Sequence, residues 1–169
     1  MSEKYNLTGG CTCGKVKYSI SEKPLFTQAC HCVDCKISTG SSYVIHTTIL
    51  DKTLSVDGKV ASTVLPTGSG KGYRAYFCIE CGVYLYCKYY IGPGRLNVRT
   101  KTLEDPIEPQ AHIFVKDKDP CIEIKDKTIC HDTMYDREKT WPKESLDRIK
   151  WRLKVKNIEQ YGMMEKLLK

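Results

Sequence analysis

Phe77-Cys78-Ile79-Glu80-Cys81-Gly82 is a C-x-x-C turn followed by glycine, the local form of a zinc knuckle. Two sulfurs at that spacing reach one ion, and the glycine eases the fold that turns backbone amides toward them. A tetrahedral site needs two more thiolates, each about 2.3 Å from the metal. Gly9-Gly10-Cys11-Thr12-Cys13-Gly14 offers the matching pair, because side chains two apart on an extended segment share a face. The Cys₄ set Cys11, Cys13, Cys78 and Cys81 is too widely separated for a simple zinc ribbon. It would staple distant strands together.

A third cluster, Ala29-Cys30-His31-Cys32-Val33-Asp34-Cys35, brings three thiols close with no fourth cysteine in the group. Three protein ligands and an open position mark a reactive rather than a structural zinc. His31 points oppositely if Cys30 and Cys32 share a face. A closed site remains the alternative, completed by Cys87, Cys121, Cys130 or His112. The expectation is therefore two zinc ions per chain. Buried cysteines kept only for packing do not arrive in C-x-C and C-x-x-C pairs.

Around these clusters the chain reads as mainly β. Lys15–Ile20 alternates polar and apolar residues, and Tyr43–His46 with Thr47–Ile49 reads as a further strand. Leu54-Ser55-Val56, Asp57-Gly58 and Lys59-Val60 carry the signal of a type I′ hairpin. Tyr73–Phe77 leads into the knuckle and Val83–Tyr86 leads out. Gly92-Pro93-Gly94 turns the chain into Leu96–Val98, and His112–Val115 and Ile122–Ile124 complete the short strands. Turn signals about every ten residues argue for antiparallel sheets and leave no room for βαβ units. Residues 1–130 form the expected zinc domain and residues 131–169 a basic C-terminal extension. After Thr140 it has eight basic and four acidic residues. Ser145 can cap a helix from Leu146, yet Ile149, Trp151, Leu153 and Val155 alternate as in a strand, and a short helix is expected at Tyr161–Leu168.

Composition bounds the function classes. With 169 residues the chain can bury a sizeable core. No apolar run reaches the roughly 18–20 residues of a membrane span. Met1–Asn6 lacks the apolar stretch of a secretion signal, and 41% apolar content excludes disorder. Ten cysteines without a secretion signal point to a reducing compartment, the cytoplasm or also the nucleus, and to metal rather than disulfides. Gly68-Ser69-Gly70-Lys71-Gly72 is not a P-loop, since Leu65 and Gly72 stand where Gly and Ser or Thr are needed. It reads as a hairpin loop. The net charge of +7 and the run Lys150-Trp151-Arg152-Leu153-Lys154-Val155-Lys156 are read as a solvated face in preference to a nucleic-acid face.

Gly9–Val16, Ala29–Cys35, Thr39-Gly40-Ser41-Ser42 and Phe77–Gly82, in that order, resemble the glutathione-dependent formaldehyde-activating enzyme family, which includes centromere protein V. The resemblance continues through Thr102–Pro106 and His112–Val115, and spans about residues 5–125. It implies a β-tent of small antiparallel sheets and two zincs. Cys11, Cys13, Cys78 and Cys81 match the structural site, and Cys30, Cys32 and Cys35 the catalytic one. Cys121 stands near where family members commonly carry Trp, and the chain after Ile124 has no counterpart. The implied reaction is carbon–sulfur lyase chemistry like that of S-hydroxymethylglutathione synthase, with a thiol such as glutathione and an aldehyde as substrates. An incoming thiol at the open position would lose its proton, because a metal lowers the thiol pKa. Lys36, Arg74 and Arg95 are candidates for holding the carboxylates of glutathione. One rival is a non-catalytic zinc module that binds a protein or cytoskeletal partner. Another is a guanine-exchange chaperone with a single closed Cys₄ site, which the third cysteine cluster disfavours.

Overall fold

The structure, a computed structural model, describes residues 5–105, 107–124 and 127–155. In chain order its elements are β1 (Leu7–Gly10), β2 (Lys17–Ile20), β3 (Phe26–Cys30), α1 (Val33–Thr39), β4 (Val44–Leu50), β5 (Leu54–Asp57), β6 (Val60–Leu65), β7 (Tyr73–Cys78), β8 (Tyr84–Tyr89), β9 (Arg95–Arg99), β10 (Ala111–Ile113), β11 (Ile129–His131), α2 (Arg137–Thr140) and α3 (Lys143–Val155). They form a small sheet of order β1-β2-β5 and a large one of order β11-β10-β3-β4-β9-β8-β7-β6. The mainly-β expectation holds, with antiparallel pairing from β3 through to β6. Only at the β10 end does the pairing become parallel, to β3 on one side and β11 on the other. Among the described residues no helix is long and apolar enough to cross a membrane.

Strand β4, rich in β-branched residues, runs through the middle of the large sheet and is buried along nearly its whole length. Its Ile49, with Leu85 and Val98, packs against Val16, Tyr18 and Ile20 of the small sheet. The opposite face of the large sheet carries the second core, around Leu25, Phe26, Cys30 and Ile113. The segment expected as an appendage supplies that core with Tyr135, Trp141, Leu146 and Ile149. The local period around residue 150 is resolved as helical, since Leu146, Ile149 and Leu153 pack inward while Trp151 is 55% exposed. Ser145 is not the cap. It lies in the first turn, and its hydroxyl donates to the Leu25 carbonyl at 2.6 Å. Basic side chains of α3 are tied to acids of this chain, among them Lys150 to Glu138 and Arg152 to Asp51, each at 2.8 Å. The helix expected at Tyr161–Leu168 lies outside the described residues.

Two strand expectations need correction. Leu54–Asp57 and Val60–Leu65 are strands but do not form a hairpin with each other, because β5 pairs with β2 and β6 with β7. Asp57-Gly58 is where the chain crosses between sheets. Ile122–Ile124 is irregular, with the Ile122 N–H donating to the Asp119 carbonyl at 3.0 Å. The place beside β10 is taken by β11 instead.

The crossing explains Gly58. Its φ is 103°, and a Cβ there would collide with the Lys15 carbonyl oxygen. Gly58→Ala is expected to cost about 2 kcal/mol or more, a fall in melting midpoint of roughly 5 °C or more. Gly70 also has positive φ (74°) but faces open space. Its alanine variant should lose only the conformational part, about 1 kcal/mol. Equal melting curves for the two variants would show that close approach of the sheets at Gly58 contributes nothing.

Candidate metal centres and the cavity beside them

The first cysteine group forms where the β1–β2 loop of the small sheet meets the β7–β8 loop of the large one. The sulfurs of Cys11, Cys13, Cys78 and Cys81 all lie within 4.8 Å of one another. Cys11 and Cys13 are 3.4 Å apart and Cys13 and Cys78 3.7 Å apart. A tetrahedron with bonds of 2.3 Å has sulfur–sulfur edges of about 3.8 Å, so the spacing fits a zinc-sized ion. The two loops are built alike. The Gly14 N–H returns to the Cys11 carbonyl at 3.1 Å, and the Gly82 N–H to the Cys78 carbonyl at 3.0 Å. Amides turned inward by these turns favour thiolates. Val16 N–H donates to Cys11 Sγ at 3.2 Å, and the Val83 and Cys13 amides hold the Cys81 thiol down to about 6.

The second group forms where β3 runs into α1. Cys30 ends β3, Cys32 precedes α1, and Cys35 lies on its first turn. Their sulfurs lie within 4.8 Å of one another, with Cys30 and Cys32 at 3.4 Å. Cys30 and Cys35 are buried, whereas Cys32 is half-buried. Hydrogen bonds shared with Cys30 and Cys35 pull the Cys32 thiol far below its ordinary value. The same contact with Cys32 pushes Cys30 up to about 12, and both neighbours push Cys35 up as well. Three thiolates this close repel one another and cannot ionise together without a cation among them. That donor set fits a soft divalent metal.

None of the four residues considered for closing this group joins it. Cys87 is fully buried beside Tyr73 and Ala75, and Cys121 and Cys130 are exposed. His112 meets His31 instead, with Nδ1 2.9 Å from His31 Nε2. His31 is fully buried on the other side of β3, as alternation requires.

A histidine that carries no motif in the sequence lies beside the group. His46 of β4 places Nε2 3.5 Å from Cys35 Sγ. Behind it on β9 is Arg99, 6% exposed, with Nη1 3.4 Å from His46 Nε2 and its guanidinium 3.8 Å from the centre of the Tyr84 ring. Burial, reinforced by the Arg99 charge, holds the His46 imidazole down to about 3, so it is neutral. No local motif marks either residue. They meet only because His46 and Arg99 are cross-strand partners.

Cys30, Cys32 and Cys35 border a cavity of about 590 Å³ floored by β3, β4 and β9, with Gln28, His46, Thr48 and Asn97 facing it. Thr48 donates to Asn97 at 2.7 Å, and Tyr73 and Tyr89 stack at 5.1 Å along one side. Of the three basic candidates, Arg95 lines the cavity. Lys36 does not, because its ammonium is bound to Asp119 and to the Asp117 carbonyl. Arg74 sits on the exposed side of β7, donating to Ser62 Oγ at 3.2 Å. Cys121 is likewise outside the lining. Lys116 and Arg137 border the cavity without having been marked by any local pattern.

Residues 6–117, which hold all seven clustered cysteines together with His46, Arg95 and Arg99, match the family described as glutathione-dependent formaldehyde-activating enzyme. Among solved structures, a crystal structure of a Rhodobacter sphaeroides protein is similar, with a TM-score of 0.47 and 24% identity. The similarity covers 60% of this chain and 91% of that one. No curated protein matches the chain. On the family match, this chain belongs to the glutathione-dependent formaldehyde-activating enzyme family, an enzyme family of formaldehyde activation.

Proposed function

We propose that the chain is a zinc-dependent carbon–sulfur lyase that adds a thiol, glutathione first among candidates, to an aldehyde, as S-hydroxymethylglutathione synthase does. One observation carries this reading: a three-thiol group that, among the described residues, gathers no fourth ligand borders a cavity large enough for a small peptide thiol. In this reading Cys30, Cys32 and Cys35 hold the reactive zinc, and Cys11, Cys13, Cys78 and Cys81 the structural one, within a β-tent fold. The bound metal supplies charge that lowers the pKa of the substrate thiol and keeps its sulfur nucleophilic. The addition is redox-neutral. A sulfur–carbon bond forms, the carbonyl π bond opens, and the proton lost by sulfur is matched by one gained at oxygen.

The chain's own residues orient the reactants. Cys30 and Cys35 are anchored in the core, which keeps the group rigid while Cys32 faces the cavity. Asn97 and Thr48 present an amide and a hydroxyl to peptide groups of the substrate. Tyr73 and Tyr89 offer an apolar side that limits water around the reacting sulfur.

Two zincs per chain are expected by elemental analysis of protein purified under reducing conditions, together with acceleration of glutathione–formaldehyde addition over the uncatalysed rate. A single zinc, even after zinc supplementation, would remove the reactive centre and the lyase reading with it. Two zincs without acceleration for any thiol and aldehyde would instead favour a non-catalytic zinc module.

A further inference from the structure

Four residues of the cavity lining, Met134, Tyr135, Arg137 and Trp141, come from the segment between β11 and α3, beyond the residues that match the family. This wall is firmly seated. Trp141 Nε1 donates to the Tyr135 hydroxyl at 2.8 Å, and that hydroxyl donates to Gln28 Oε1 on the cavity floor. Trp141 also stacks on Phe26, with centroids 5.6 Å apart. Arg137 opens α2 half-buried, its guanidinium 5.3 Å from the centre of the Trp141 ring. Among the described residues it has no carboxylate partner.

Arg95 approaches from β9, its guanidinium passing over Gly92. Burial pushes the Tyr135 phenol up to about 12, while the Trp141 hydrogen bond and the charges of Arg95 and Arg137 oppose that rise. Arg95 and Arg137 both line this cavity. Asp34 and Asp117 also border the cavity, and the Asp34 carboxylate accepts from the Gly68 N–H at 2.6 Å. A guanidinium that reaches a cavity without an acid of its own suits a planar anion, which it can hold with two parallel hydrogen bonds.

We propose that Arg137 forms a carboxylate-binding corner of the cavity, contributed by this chain's C-terminal segment, so that the cavity selects thiols carrying a carboxylate over neutral thiols. The inference rests on the thiol–aldehyde reading of the cavity. Arg137 determines specificity, and the chemistry remains with the cysteine group. The two charges also differ in origin: Arg95 lies within the family-matched span, whereas Arg137 is an addition specific to the segment that follows it.

The experiment uses the zinc-loaded full chain in a Trp151→Phe background, which leaves Trp141 as the fluorophore at the cavity. Glutathione, its diethyl ester and 2-mercaptoethanol are titrated against this protein and its Arg137→Gln and Arg137→Lys variants. Arg137→Gln should weaken glutathione binding about tenfold or more, from loss of a charge-assisted pair, and leave ester binding within about twofold. Arg137→Lys should recover only part of the loss, because an ammonium cannot reproduce the bidentate geometry. In turnover the loss should fall on KM rather than kcat. Equal losses for glutathione and its ester, or no loss for glutathione, would overturn the corner while leaving the lyase reading intact. If no thiol of any charge perturbs Trp141 or is turned over, the lyase reading fails and the corner fails with it.

Discussion

Cys78→Ser is expected to leave the chain unable to fold at ordinary temperature. Cys78 ends β7, is 1% exposed, and belongs to the core between the two sheets. Its sulfur lies 3.7 Å from Cys13, on the loop joining β1 to β2. A metal held there, as proposed, would tie the two sheets together at a point where their backbones share no ladder. Structural zinc contributes on the order of 10 kcal/mol in small folds, comparable to the whole stability of an ordinary domain of about 5–15 kcal/mol. Serine removes one thiolate and leaves a hydroxyl that stays protonated, so the remaining three ligands bind weakly. The expected result is insoluble protein, or soluble protein without a cooperative melt by circular dichroism. A soluble Cys78→Ser protein with an unchanged midpoint would show that this group is not structural.

Cys32→Ser should produce the opposite pattern: an intact fold and no thiol–aldehyde activity. Cys32 is half-buried, precedes α1 and faces the cavity, so its near-isosteric replacement by serine alters only the margin of one core. The melting midpoint should fall by a few degrees at most. Two thiolates are too few to retain zinc against a chelator, so metal content should drop from two to one and activity should fall below detection. Cys130→Ser is the suitable control. Cys130 is exposed, outside both cysteine groups, and its thiol donates only to the Thr128 carbonyl. Cys87 would be a poor control because it is fully buried, with its thiol pushed up by burial and in contact with Tyr84. If Cys32→Ser kept both zincs and full turnover, the proposed reactive centre would be wrong.

The contrast between these variants reflects how differently the two groups are embedded. Cys11, Cys13, Cys78 and Cys81 join separate sheets, whereas Cys30, Cys32 and Cys35 follow one another from a strand end into a helix. If the first group holds a metal as proposed, removing one of its thiols would release a long-range connection. Removing one from the second would empty a site whose scaffold is already held by β3, β4 and the Phe26–Trp141 core.

What was legible in the sequence was local. Clustering within C-x-C and C-x-x-C spacings is set by two or three backbone units, and alternation along a strand put His31 opposite Cys30 and Cys32. The β7–β8 pair around the knuckle was legible for the same reason, because the turn and its flanking strands are adjacent in the chain. Pairing between distant segments was not. Asp57-Gly58 carries hairpin chemistry, yet β5 buries its apolar face beside β2, and only the assembled sheets decide that. Period alone left Ile149, Trp151, Leu153 and Val155 open between strand and helix. The core over Phe26, which accepts Leu146 and Ile149 but not Trp151, selects the helix. Charge alone marked Lys36, Arg74 and Arg95 equally, since a cation's place in a sequence carries no direction. The sequence by itself determined the sulfur groups and the β class. The cavity is a product of tertiary assembly, because β3, β4, β9 and the 134–141 segment converge there through nonlocal burial and register, bringing His46 and Arg137 to it, with Arg99 behind His46, from positions that share no local pattern.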